Sequence, residues 1–96
     1  MAILMHAVIP RITADQYDTL NAKLQEMPEI FDGCLAHVCV ATEVGVEIHD
    51  VWETEQQMTA FAEKMMPIAA NLGWPADAAM PKVQQVHHYW LPGAGT

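Results

Sequence analysis

Basic residues are scarce in this chain of 96 residues. Arg11, Lys23, Lys64 and Lys82 stand against twelve acidic residues, and the net charge is −8. The four cations form no patch, and so acidic a protein repels phosphate-rich surfaces. We therefore expect neither nucleic acid nor a membrane among its partners.

Cysteine is scarce as well, and long apolar runs are missing. Cys34 and Cys39 lie five residues apart in one predicted strand. Odd spacing would point them to opposite faces, so they are not expected to pair. The chain has no apolar run of about 18 residues and no basic secretory leader. These absences predict a cytoplasmic protein with two reduced thiols.

Several signatures of common chemistry are also absent. The sequence contains no phosphate-binding loop, dinucleotide fingerprint, nucleophile elbow or Cys/His metal spacing. We therefore expect no metal and no cofactor. Acid–base catalysis and simple ligand binding remain as the candidate functions.

Apolar residues, in contrast, are plentiful. They make up 52% of the chain, whereas charged residues make up 17%. A chain of this length forms one domain, residues 1–96, with a flexible tail from about residue 91. One small core cannot cover so much apolar surface, which predicts a homodimer.

The order of elements predicts an α+β fold. Capping-box sequences predict helices that begin at Thr13 and Thr54. Pro28 ends the first helix. In the second helix Pro67 should cause a kink or an interruption, and Gly73 ends the helix. Apolar patterns predict strands over residues 2–9, 34–41, 46–53 and 82–90, with a loop over 74–81. The order βαββαβ is ferredoxin-like, a four-stranded antiparallel sheet with two helices on one face. The other face would pack against a second copy.

Three stretches carry a resemblance to a known superfamily. The run Val46-Glu-Ile-His-Asp-Val-Trp-Glu-Thr54 resembles the strand-to-helix junction of the dimeric α/β-barrel superfamily. Lys64-Met-Met-Pro67 and Val86-His-His-Tyr-Trp90 resemble its small actinobacterial-type members. The resemblance covers about residues 3–90. It implies a homodimeric barrel with a ligand pocket in each subunit, between helices and sheet.

The superfamily includes antibiotic-biosynthesis monooxygenases that use neither metal nor flavin, polyketide cyclases, haem-degrading monooxygenases and stress-induced proteins. Trp52 matches the strand tryptophan of the haem-degrading members, but their second-helix histidine and first-strand asparagine are missing here. The arginine of the metal-free monooxygenases is unmatched, since Arg11 lies in the first loop. The helix histidine of the cyclases is missing too, and Tyr17 is the only helix tyrosine. Haem degradation is therefore the least favoured activity.

A four-residue turn over 42–45 would pair His37 with Asp50 and Leu35 with Trp52 across two strands. An imidazole beside a carboxylate on an apolar surface is oriented by it and becomes a base suited to neutral pH. Cofactor-free oxidation and aldol-type cyclisation both need such a base. The alternative is a buried polar pair that only satisfies itself.

The remaining histidines are assigned by position. His87 is placed in the pocket by motif resemblance alone; its neighbour His88 must face the opposite way, so the two cannot chelate one metal. A structural role is the alternative for either. His6 is interpreted as a core or interface residue, and His49 as exposed or at the dimer interface.

Four further residues are candidates for binding a ligand. Trp52 would wall the pocket, and Tyr17 could hydrogen-bond a ligand carbonyl. Met58 and Met65 would suit a pocket that adapts to a planar hydrophobic molecule. Core packing, or a tyrosine hydroxyl in solvent, is the alternative for each.

Two functions remain open. The first is a cofactor-independent acid–base enzyme, monooxygenase-like or cyclase-like, acting on a small aromatic or polyketide-like metabolite. His37, Asp50 and His87 are its catalytic candidates. The second is a non-catalytic dimeric ligand-binding or stress-response protein whose histidines are structural.

Overall fold

The computed structural model of the chain describes residues 2–75 and 81–93. The elements follow in the order βαββαβ, as predicted, and the four antiparallel strands lie in the sheet order β2-β3-β1-β4. This is the ferredoxin-like α+β fold. The elements are β1 (Ile3–Pro10), α1 (Ala14–Gln25), β2 (Cys34–Ala41), β3 (Gly45–Trp52), α2 (Glu55–Asn71) and β4 (Lys82–Gln85), with a short 3₁₀ helix at Pro28–Phe31.

The last strand is shorter than predicted. β4 ends at Gln85, whereas the sequence predicted a strand to residue 90. Gln85 pairs with Ile3, where β1 itself begins, and one more hydrogen bond joins Val86 N–H to the Ala2 carbonyl at 2.9 Å. β4 therefore ends opposite the first residue of its partner strand. The predicted loop and tail lie partly outside the described residues, at 76–80 and 94–96.

The first helix begins where the sequence predicted. Thr13 caps α1 with a complete capping box: its hydroxyl accepts the Gln16 N–H at 3.1 Å, and the Gln16 side chain accepts the Thr13 N–H at 2.9 Å. The helix ends at Gln25, shortly before Pro28, which opens the 3₁₀ helix.

The second helix is continuous. Thr54 caps it by accepting the Gln57 N–H, and it runs through Pro67 to Asn71. Of the two predicted effects of Pro67, the interruption is wrong and the kink stays a prediction. Proline removes one helical hydrogen bond. Pro67 is exposed, so water can reach the freed carbonyl, and the buried Ala69 continues the packed face beyond it. Gly73, with φ at +86°, follows the last turn. No helix in the described ranges has both the length and the apolar character needed to cross a membrane.

Both helices pack on the same face of the sheet. Tyr17 of α1 stacks on His37 of β2, and Phe61 of α2 packs against Trp52 of β3. Leu20 and Leu24 of α1 are buried, as their spacing predicted. The opposite face is open in a single chain, because Val38 is 52% exposed and Val40 43% exposed.

The turn between β2 and β3 sets their register. Ala41 pairs with Val46, which leaves four residues in the turn, and the Thr42 hydroxyl accepts the Gly45 N–H at 3.1 Å. Gly45 is required there, because a Cβ atom would lie 2.2 Å from the Ile9 carbonyl oxygen. The predicted pairing of His37 with Asp50 follows from this even turn and is confirmed.

A β-bulge changes the start of β2. Cys34, and not Leu35 as predicted, pairs with Trp52, and the ladder resumes with Ala36 opposite Val51. The extra residue turns Cys34 to the helix-covered face, where Cys39 also lies opposite Ile48. The prediction that the two thiols face opposite ways is therefore wrong, although both cysteines are free.

Candidate functional site

The site is built around Asp50, at the centre of β3. Its side chain is 3% exposed, and no other charged residue of the described ranges is buried. A buried carboxylate is costly unless it is hydrogen-bonded. Asp50 Oδ1 lies 2.5 Å from His37 Nδ1, and Oδ2 accepts the Trp52 indole N–H at 3.3 Å. Both oxygens therefore have partners.

The bond to Asp50 determines how His37 presents its other nitrogen. A carboxylate accepts, so Nδ1 carries the proton, and Nε2 of the neutral ring is an acceptor. Nε2 is in hydrogen-bond contact with the Tyr17 hydroxyl, which donates to it. The tyrosine and imidazole rings are nearly parallel, at an angle of 11° and a centroid distance of 5.9 Å. We call this chain of contacts the Tyr17–His37–Asp50 relay.

The local sequence explains why three elements meet here. The Thr13 cap starts α1 so that Tyr17, whose N–H donates to the Thr13 carbonyl at 3.0 Å, lies in its first turn over β2. The four-residue turn places His37 opposite Asp50 on the helix-covered face. β2 is an edge strand, so solvent reaches the relay: the His37 side chain is 34% exposed.

Burial keeps the tyrosine of the relay protonated. It raises the pKa of Tyr17 to about 12, and negative charge at Cys39, Asp50 and Asp18 adds to the effect. The pKa of the neighbouring Cys34 thiol is raised to about 11 by burial and by the Asp50 carboxylate. Tyr17 is therefore a neutral phenol at physiological pH and donates its proton to His37.

The relay has the parts of an acid–base device. A buried carboxylate orients an imidazole, whose free nitrogen faces a hydroxyl group, which is the arrangement of carboxylate, histidine and hydroxyl in serine hydrolases. Here the hydroxyl is a phenol on a helix. The arrangement can take a proton at His37, directly or through Tyr17 as Tyr17 passes its own proton on, and can stabilise the resulting imidazolium through Asp50.

Of the other predicted site residues, Trp52 adjoins the relay, and Met58, Met65 and His87 lie outside its hydrogen bonds. Trp52 is fully buried against Phe61, so it holds Asp50 and leaves no face open to a ligand. Met65 packs on the core between the helices, and Met58 is half-buried in the first turn of α2. His87 is exposed beyond the end of β4, without a hydrogen bond or ion pair in the described part of the chain. Its assignment to the pocket came from motif resemblance alone and stays a prediction.

Two surface grooves of the described residues lie away from the relay. One lies along exposed residues of α2, and another lies between the C-terminal ends of α1 and α2. Lys23, Met27 and Leu72 are among the residues of the second groove. Neither contains a relay residue, so a ligand pocket between helices and sheet stays a prediction.

Sequence reasoning missed one cluster on the open face. His6 of β1 lies opposite His49 of β3, with their rings stacked at a centroid distance of 4.4 Å, and Glu47 contacts both. His6 and His49 are far apart in the chain, so they do not form a short sequence motif of the kind that indicates a metal site. The available signal was the strand order, because the ferredoxin-like arrangement places β1 beside β3.

Comparison with known proteins gives matches in structure alone. No family model matches the chain, and no curated protein matches it. A putative antibiotic biosynthesis monooxygenase from Chloroflexus aurantiacus J-10-fl aligns with a TM-score of 0.63 at 20% identity, over 94% of this chain and 98% of that one. A monooxygenase from the gene ActVA-Orf6 of Streptomyces coelicolor, solved with the ligand nanaomycin D, aligns with a TM-score of 0.62 at 16% identity, over 95% and 91%. The chain therefore has the ferredoxin-like fold of antibiotic biosynthesis monooxygenase-like proteins.

Proposed function

We propose that this protein is a monooxygenase-like enzyme that acts on a small aromatic or polyketide-like metabolite without metal or flavin. The observation that carries the proposal is the Tyr17–His37–Asp50 relay. It places a base, His37, between a buried carboxylate and a hydroxyl group, at an edge that solvent reaches. A buried carboxylate that orients an imidazole is an arrangement typical of acid–base sites.

The proposed step is removal of a proton from a phenolic substrate. The substrate hydroxyl gives its proton to Tyr17 as Tyr17 passes its own proton to His37 Nε2. Because the pKa of Tyr17 is raised to about 12, a free tyrosinate is unfavourable, so the two transfers occur together. Asp50 then stabilises the imidazolium through its bond to Nδ1.

Oxidation would follow from the electron-rich phenolate. Dioxygen is the oxidant: one oxygen atom forms a carbon–oxygen bond on the ring, and the other leaves as water with two hydrogens from the substrate. The substrate supplies all the electrons, and the product is a quinone. Aldol-type cyclisation would use the same base, taking a proton from carbon, and would consume no dioxygen.

The neighbouring structures support this substrate class. The two described above are named as monooxygenases, one of them putative, and one was solved with nanaomycin D. At 20% and 16% identity they share the fold, so the relay, not the likeness, is the argument for chemistry in this chain.

The test is oxygen consumption with a hydroxyanthrone as substrate, after dialysis against EDTA. We expect turnover by the wild type and a loss of kcat of roughly 100- to 10,000-fold in His37→Gln, the usual contribution of a general base. Asp50→Asn should also lose activity, because its amide can donate to the ring and reverse the tautomer. The exposed His88→Gln is the matched control. Undiminished turnover in a folded His37→Gln protein would refute the proposal.

A non-catalytic dimeric ligand-binding or stress-response protein is the second candidate. It is favoured by the full burial of Trp52 and by grooves that lie away from the relay. Titration with nanaomycin D, followed by tryptophan fluorescence, separates the two functions. Binding without turnover of any hydroxyanthrone or polyketide analogue favours this candidate, and turnover that depends on His37 favours the enzyme.

We also propose that the functional unit is a homodimer formed through the open face of the sheet. Val8, Val38 and Val40 are exposed there, and several exposed apolar side chains on one face of a sheet are typical of an interface. Native mass spectrometry should give twice the monomer mass, and Val38→Lys should shift the protein towards monomer. A monomeric wild type at micromolar concentration would contradict the proposal.

A further inference from the structure

The open face of the sheet carries a second cluster of polar groups. His6 and His49 are direct cross-strand partners on β1 and β3, and Glu47 lies two residues before His49 on the same face. Each of the three side chains is 35–36% exposed. The cluster lies on the opposite side of the sheet from the relay, so it is independent of the proposed acid–base chemistry. It shares its face with Val8, Val38 and Val40, so it would lie at or beside the proposed dimer interface.

The spacing of the three donor groups fits a metal ion. Glu47 Oε1 lies 3.5 Å from His6 Nε2 and 3.6 Å from His49 Nε2. One donor atom from each residue lies within 4.8 Å of the other two. Ligand atoms about 2.1 Å from a tetrahedral zinc ion lie roughly 3.4 Å apart. The observed separations are therefore close to those of a coordination sphere.

A second observation concerns the hydrogen bonding of His6. Its Nε2 atom is buried and has no hydrogen-bond partner in the described part of the chain. Glu47 is at ion-pair distance, but the contact does not have hydrogen-bond geometry. A buried ring nitrogen without a partner is costly. A metal ion between His6 and Glu47 would satisfy it.

We propose that His6, Glu47 and His49 bind a divalent transition-metal ion such as Zn²⁺. Two imidazoles and one carboxylate are a common set for zinc and for non-haem iron, and hard ions such as Mg²⁺ prefer oxygen ligands alone. Three protein ligands leave a fourth position for water. Val8 and Val40 are the cross-strand neighbours of Glu47, so apolar side chains flank the carboxylate on both sides.

One nearby charge opposes binding and provides a test. Lys82 of β4 is the cross-strand partner of His6 on its other side, so its ammonium group lies on the same face. It repels a divalent cation and lowers the affinity. Lys82→Gln should therefore tighten binding a few-fold, more at low ionic strength than at high.

The experiment is titration of the metal-free protein with Co²⁺ and Zn²⁺. Co²⁺ gives a visible absorption spectrum that reports its coordination geometry, and calorimetry gives the Zn²⁺ affinity. We expect one ion per chain and a four-coordinate Co²⁺ spectrum. His6→Gln, Glu47→Gln and His49→Gln should each weaken binding by at least about tenfold, since even groups that only support a ligand contribute roughly 10- to 100-fold.

The controls separate this site from the adjacent histidines near the C-terminus. The double variant His87→Gln/His88→Gln should bind Zn²⁺ with unchanged affinity. Loss of binding in that variant, with full binding in His6→Gln, would overturn the proposal. Equal affinity in the wild type and all three ligand variants would overturn it as well. Circular dichroism of each variant checks that the fold is retained.

Discussion

Replacing His37 by alanine tests the relay through stability, without knowledge of the substrate. His37 Nδ1 supplies the 2.5 Å bond to Asp50, and the remaining partner is the Trp52 indole at 3.3 Å. In His37→Ala a carboxylate that is 3% exposed keeps only the longer of its two bonds. The folded state should lose stability, because the charge remains buried without its closest partner.

The magnitude follows from two limits. A hydrogen bond to a charged group contributes about 1.5–3 kcal/mol, and removing one partner of a fully buried ion pair costs about 3–5 kcal/mol. The His37 side chain is 34% exposed, so water can enter the vacated space and the lower range applies. We expect a loss of about 2–3 kcal/mol, which lowers Tm by about 10–20 °C in a domain of this size.

The assay is urea unfolding followed by tryptophan fluorescence at one protein concentration, since any dimer would make stability concentration-dependent. The exposed His88→Ala is the matched control and should change the unfolding free energy by less than about 0.5 kcal/mol. The double variant His37→Ala/Asp50→Asn should recover part of the loss, because the buried charge is gone. A change below about 0.5 kcal/mol in His37→Ala would refute the hydrogen-bonded pair.

Three further predictions concern neighbouring features. Gly45→Ala should prevent folding or cost several kcal/mol, because a Cβ atom would lie 2.2 Å from the Ile9 carbonyl oxygen. At Gly73 a Cβ atom meets no atom within 4 Å, so Gly73→Ala should cost only the roughly 1–2 kcal/mol of a left-handed backbone, and thermal unfolding of both variants measures the difference. Because the pKa of Tyr17 is raised from 10.0 to about 12, the stability it contributes is present below pH 10 and is lost as pH rises through 12; Tyr17→Phe should lack this loss in urea unfolding across that range. Because burial raises the pKa of Cys34 to about 11, its thiol should react slowly with Ellman's reagent at pH 8 in the folded protein and rapidly in urea, and equal rates would contradict its burial.

Much of the fold could be predicted because its signals are local. The capping sequence at Thr13 and the caps and stops of both helices depend on residues a few positions apart. The wrong details depended on distant neighbours. β4 ends early because its partner β1 begins at Ile3, opposite Gln85. α2 passes through Pro67 because Met65 and Ala69, on either side of it, pack in the core. The β-bulge at Leu35 has no signal in the alternation of β2.

The part of the site that depends on local sequence signals was also predicted. An even turn of four residues sufficed to place His37 opposite Asp50, since the side chains of a strand alternate with a fixed period. Tyr17 was predicted as a ligand contact, but its bond to His37 depends on how α1 packs over β2. His87 was predicted to lie in the last strand, which in fact ends at Gln85. Trp52 was expected to wall a pocket, but its side chain is completely buried.

By itself, the sequence determined the order of elements, the strand alternation and the pairing of His37 with Asp50, because each depends on short-range geometry and on counting residues. Only the tertiary structure decided which groups complete the two polar clusters. Tyr17 reaches His37 through helix-on-sheet packing, and His6 meets His49 through the pairing of strands far apart in the chain. Contacts of this kind arise when elements are brought together, and no local pattern encodes them.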